Sequence, residues 1–103
     1  MYDAIVYTSN DSGVLTFERF AGSRWKVCDL SADGMRAVAE VRDTSSGGLL
    51  LRIQDASGSA GSRCGEGHIY PPPYSGQRLS LKVWVQNGAN GSTQRPGYGS
   101  YTW

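Results

Sequence analysis

Between Arg78 and Gln86 the side chains alternate with a period of two: Leu79, Leu81, Val83 and Val85 fall on one side, Arg78, Ser80, Lys82 and Gln86 on the other. Only an extended strand puts successive residues on opposite faces, so this run is a β-strand with one face in a core. The alternation returns in short pieces at 2–8, 14–20, 24–30, 35–42 and 49–54, with a last strand at 98–103. Turn clusters separate them: Asn10-Asp11-Ser12-Gly13, Ala21-Gly22-Ser23, Asp33-Gly34 and Ser45-Ser46-Gly47-Gly48. Asp and Gly tolerate the positive φ of tight turns, and Asp33-Gly34 reads as a hairpin between 24–30 and 35–42. No stretch of helical periodicity is long enough to read as a helix. The chain therefore reads as all-β, a small antiparallel β-sandwich of about seven or eight short strands. Two stretches, 55–77 and 87–97, are rich in Gly and read as irregular.

A length of 103 residues fits one domain spanning 1–103. A domain of this size is marginal in the surface it can bury, so a covalent crosslink is a useful supplement. Cys28 and Cys64 are the only cysteines. Paired, they staple the sandwich with one disulfide and close a loop of about 36 residues, worth roughly 3–4 kcal/mol in the chain-entropy picture. Such a bond persists in oxidising compartments, so the expected location is extracellular, the protein being secreted. The alternative is two buried free thiols in a cytosolic protein. Met1-Tyr2-Asp3-Ala4 has neither a basic start nor an apolar stretch, so a leader is expected to have been removed from the exported protein. No segment approaches the roughly 20 apolar residues of a membrane span. Ten basic and nine acidic residues are spread without a block of one sign, which gives no support to nucleic-acid binding.

Catalytic chemistry has few residues to draw on. His68 is the only histidine, with Glu66 and Ser62 nearby, and reads as an exposed loop histidine. Asp29 with Asp33, or Asp43 with Asp55, are the carboxylate pairs a glycosidase would need, but such pairs arise by chance among nine scattered acids. Asp29 and Asp33 lack the alternating ligands of a calcium loop, and two cysteines with one histidine do not match a structural zinc site. The expectation is a protein that is not an enzyme, with no cofactor and no metal.

Binding has more to work with. Tyr70-Pro71-Pro72-Pro73-Tyr74 reads as extended, because consecutive prolines fix φ, and it presents two tyrosines on a stiff frame. It reads either as a docking site or as a rigid crossover between sheets. Trp84 interrupts the polar face of its strand and reads either as cover for the sheet or as a contact patch. Tyr2, Ile5 and Tyr7 lie in the first strand, and Tyr98, Tyr101 and Trp103 in the last. Terminal strands of this kind pair with each other or add to the sheet edge of a partner.

The run from Trp25 through Cys28-Asp29-Leu30-Ser31-Ala32-Asp33-Gly34-Met35-Arg36-Ala37, then Cys64 before Gly67-His68-Ile69-Tyr70, then Leu79-Ser80-Leu81-Lys82-Val83-Trp84-Val85, resembles small secreted proteins of Streptomyces and related actinobacteria. Many of those carry a second cysteine pair, on the late strand and near the C-terminus, where this chain has Trp84 and Tyr101 to Trp103. Some proteins of this look are adaptor subunits of umbrella toxin particles. The resemblance implies a non-catalytic adaptor that bridges a lectin-like subunit and a large repeat-containing toxin, with the segment from Tyr2 to Thr8 as the first candidate for insertion into a partner. Three other readings stay open: a free-standing antimicrobial or killer-toxin-like protein, a protease inhibitor presenting 68–75, and a carbohydrate-binding module using Trp84, Tyr70 and Tyr74.

Overall fold

The computed structural model describes residues 2–19, 22–30, 35–55, 64–88 and 91–103. Eight strands follow one another: β1 (Ala4–Tyr7), β2 (Gly13–Glu18), β3 (Arg24–Asp29), β4 (Arg36–Asp43), β5 (Leu49–Asp55), β6 (Gly65–Gly67), β7 (Arg78–Gln86) and β8 (Gln94–Thr102). They form two antiparallel sheets of four strands, in the orders β1-β2-β3-β6 and β5-β4-β7-β8. The all-β, disulfide-stapled sandwich expected from the alternation is the fold observed.

The alternation decides which side chains meet. Leu15, Phe17, Trp25 and Val27 point inward from the first sheet, and Ala37, Ala39, Val41, Leu79, Leu81, Val83 and Val85 from the second, all nearly or fully buried. Phe17 and Trp25 are direct cross-strand partners and their rings stack with centroids 4.0 Å apart. Tyr101 meets Phe17 edge-on at 5.2 Å, and Arg19 lies over the Trp103 ring at 4.6 Å. The last aromatics of the chain thus close one end of the core.

Turn chemistry matches the sequence at both well-described hairpins. Between β1 and β2, Asn10 Oδ1 accepts from the Ser12 hydroxyl at 2.6 Å and its amide at 3.2 Å, and Asp11 sits at φ 58°. Between β4 and β5, the Asp43 carboxylate accepts from the Ser45 and Ser46 amides, and Gly47 takes the positive φ, 74°.

Three expectations need correction. The strands either side of Asp33-Gly34 do not form a hairpin, since β3 belongs to the first sheet and β4 to the second. Both edges of β3 are already used, by β2 and by β6, and β4 is likewise flanked by β5 and β7. Residues 31–34 themselves lie outside the described residues, as does Ser62. The stretch 55–77 contains a short strand, β6, and the last strand starts at Gln94 rather than at 98.

Glycine explains both misses. Gly65 and Gly67 in β6 pair with Val27 and Trp25, and Gly97 and Gly99 in β8 pair with Val83 and Leu81. All four therefore stand at inward positions where a core side chain would otherwise be. A β-carbon on Gly65 would overlap the Gln54 backbone, and one on Gly97 the Tyr7 carbonyl oxygen. On Gly67 it would come 2.8 Å from Ile53 Cγ2, and on Gly99 2.6 Å from Val6 Cγ2. Sheets in a sandwich normally stand about 10 Å apart. Here bare glycine positions let β6 approach β5 on one side and β8 approach β1 on the other, where the Ser9 amide donates to the Arg95 carbonyl at 3.1 Å. The terminal strands lie close to each other but do not pair in the way one of the two sequence readings expected, because β1 belongs to the first sheet and β8 to the second.

Candidate functional site

The disulfide joins Cys28 of β3 to Cys64, one residue before β6, with Cα atoms 4.6 Å apart. Extending the Val27–Gly65 pairing by one residue brings these two positions opposite each other, so the bond continues the ladder and holds a three-residue strand in place. On the outer face of the same sheet, Tyr7 pairs with Val14 and Val14 with Cys28. Ile5 and Tyr7 face outward from β1 and are about half exposed, as are Tyr2 just before it and Leu30 just after β3. Ile5 and Tyr7 make an apolar strip along β1, with Val14 between Tyr7 and the disulfide.

A second exposed surface is the loop from His68 to Gln77. Tyr70 is 92% exposed and Tyr74 64%, and the Tyr70–Pro71 peptide bond is cis. The prolines, Ile69, Leu49 and Leu50 line a groove of about 310 Å³. Gln77 anchors the far end of the loop: its side-chain oxygen accepts from the Tyr74 amide at 3.2 Å, and its Nε2 donates to Asp43 Oδ2 at 2.8 Å. The Trp103 amide donates to the Gln77 carbonyl, and the Gly76 amide to the Trp103 carbonyl. The hydrogen bond from Gln77, with those from the Ser45 and Ser46 amides, holds the Asp43 carboxyl below its ordinary range.

Trp84 belongs to neither surface. It does face outward, as the alternation requires, but is only 4% exposed. Lys82 Nζ lies 4.9 Å and the Arg52 guanidinium 5.5 Å from its ring, and its Nε1 donates to Gln86 at 2.7 Å. The readings of Trp84 as a contact patch or a sugar-stacking platform are therefore corrected, because the ring has no open face.

The structure does not bring together the catalytic groups in the pairs read from the sequence; it instead sets buried Asp29 and Asp55 side by side, the Asp29 amide donating to Asp55 Oδ2 at 2.9 Å. His68 is exposed, its Nδ1 3.1 Å from the Ser23 carbonyl oxygen, and Glu66 faces Arg24 at 3.7 Å. Asp43 and Asp55 lie at opposite ends of the β4–β5 ladder, since Asp55 pairs with Ala37. Six residues of strand separate them by about 20 Å, well beyond the roughly 5–9.5 Å of a glycosidase pair. Among the described residues no three His, Cys, Asp or Glu side chains gather as metal ligands would, and no helix is long and apolar enough to cross a membrane.

Comparison with protein-family profiles, with curated proteins and with solved structures returned no match.

One feature was not anticipated from the sequence. The outer face of the second sheet carries Arg36 and Arg42 from β4, Arg52 from β5, and Arg78 and Lys82 from β7, with Glu40 as its one strand carboxylate. Glu40 is held by Arg52 at 3.1 Å and Arg42 at 3.4 Å. The charges come from three separate stretches of chain, and only the strand order brings them together. The signal was the outward position of each basic residue on its strand.

Proposed function

We propose that the protein is a non-catalytic, secreted binding module that acts as an adaptor, joining two partners within a larger extracellular assembly of the toxin-particle type. One observation carries the reading: two exposed apolar surfaces sit on different parts of the fold, Ile5 and Tyr7 on the outer face of β1, preceded by the exposed Tyr2, and Tyr70 with Tyr74 on the proline loop. Aromatic side chains on a rigid frame are what protein interfaces use as anchors, because they bury much area for little lost entropy. A bridging subunit needs two such surfaces, whereas a subunit with one partner needs one. The disulfide suits an oxidising compartment.

Closure of β1 against β8 refines how the first surface would work. β1 is the edge of its sheet and is crowded at its end by β8, where the Ser9 amide donates to the Arg95 carbonyl, so a partner would meet the outward side chains Ile5 and Tyr7 in preference to adding a strand. The test is affinity capture from the culture supernatant of the producing organism with the native protein and two variants, Ile5→Asp/Tyr7→Ser and Tyr70→Ser/Tyr74→Ser. The expected result is two bound chains, one lectin-like and one large and repetitive, with each variant losing a different one. Recovery of the native protein alone, or equal loss of both chains from both variants, overturns the adaptor reading.

A further inference from the structure

From the charge and shape of the second sheet's outer face, we infer that it binds an anionic polysaccharide, one carrying carboxylates on successive sugars, along β7 and β8. This inference is independent of the adaptor reading and uses neither of its surfaces.

Five cations against one carboxylate stand on this face, in a chain whose net charge is only +1, so the rest of the chain is net acidic. The single acid is already neutralised twice over, by Arg42 and Arg52. Asp43, at the end of β4, turns its carboxylate to Gln77 and the β4–β5 turn. Neither Arg78 nor Lys82 has an ion-pair partner among the described residues. A positive surplus of this kind over a low-dielectric sheet concentrates polyanions near it.

The neighbouring groups select the class of polyanion. Two open clefts meet at Ser80: one of about 170 Å³ lined by Glu40, Arg42, Lys82 and Tyr98, the other of about 390 Å³ lined by Thr44, Arg78, Ser100 and Thr102. Hydroxyls thus alternate with cations along the track, Thr44 and Ser80 bonded to each other at 2.7 Å. Tyr98 is 70% exposed and is the cross-strand partner of Lys82, whose ammonium lies 5.9 Å from its ring. A flat tyrosine beside a cation fits the apolar face of a sugar ring with its carboxylate turned to the lysine. Single-stranded nucleic acid fits less well, because its binders offer a series of aromatic platforms, and here Trp84 is covered and Tyr98 stands without a second open ring.

The experiment measures retardation of the native protein in gels containing polygalacturonate or dextran, and its binding to labelled oligo-dT, all at about 150 mM salt, where weak surface attraction is screened. Retardation by polygalacturonate and not by dextran is expected. Arg78→Glu/Lys82→Glu should weaken it at least tenfold and Tyr98→Ala severalfold, with thermal unfolding of each variant confirming that the fold is kept. Lys26→Glu, on the opposite sheet, should leave it unchanged. The inference is overturned by no retardation in polygalacturonate, by an equal effect of Lys26→Glu, or by tighter binding of oligo-dT than of polygalacturonate.

Discussion

Gln77 ties three parts of the chain together through one residue. Its side chain holds the Tyr74 amide and the Asp43 carboxylate, and its carbonyl receives the Trp103 amide. It is 8% exposed, so the bonds lost on truncation are only partly replaced by water. Gln77→Ala is expected to destabilise the fold by about 1–3 kcal/mol, read by urea unfolding. The same variant should let the Asp43 carboxyl titrate closer to its ordinary value near 3.8, followed by carboxyl NMR, because the largest cause of its depression is gone. The sign of the pH dependence follows from the direction of that shift. A depressed carboxyl stabilises the fold above its unfolded value and ceases to do so as pH falls through its lower folded value, so the gap between native protein and variant should narrow below about pH 4. At this scale the sequence was half legible. Alternation put Trp84 on the outer face, but its burial depends on Arg52 and Lys82, one of which comes from β5, two strands away. Neighbours of that kind are set by strand order, which local pattern does not encode.

Most strands could be read from alternation because each buries one face, and Leu79 to Val85 could hardly be arranged otherwise. β6 and the first half of β8 escaped because glycine at inward positions erases the apolar half of the pattern. What remains is Gly65-Glu66-Gly67 and Gly97-Tyr98-Gly99, the same period of two written in glycine. The members of each pair differ in what they meet, and the difference predicts a ranking. Gly65 and Gly97 face backbone, which cannot step aside, whereas Gly99 faces the side chain of Val6. Gly97→Ala should therefore cost more than Gly99→Ala, with Gly97→Ala at the upper end of the ~1–3 kcal/mol typical of overpacking. Equal midpoints for the two variants in urea would show that the seam yields. The charged face was hidden for a related reason. Arg42, Arg52 and Lys82 surround Glu40 only once β5, β4 and β7 stand in that order.

Over the whole molecule, the Cys28–Cys64 bond links residues 36 apart and fixes the shortest strand to the first sheet. Reduction should lower the unfolding midpoint by roughly 10–25 °C, from the loop-entropy term and the stability of a chain this size. Amide exchange should show Gly65 to Gly67 opening before the rest, since only β3 offers them a ladder. A sandwich usually has exposed strand edges, and proteins guard them with charges or prolines because unpaired amides and carbonyls invite a neighbouring molecule to continue the sheet. Here β1 and β8 are edges of different sheets, and glycine lets them pack closely enough that each covers part of the other without a ladder between them. Damage at a glycine then changes character. Wedging β8 away from β1 at Gly97 uncovers part of two edges at once, and the first sign of such a lesion would be molecules that join one another as concentration rises, while each still holds its core.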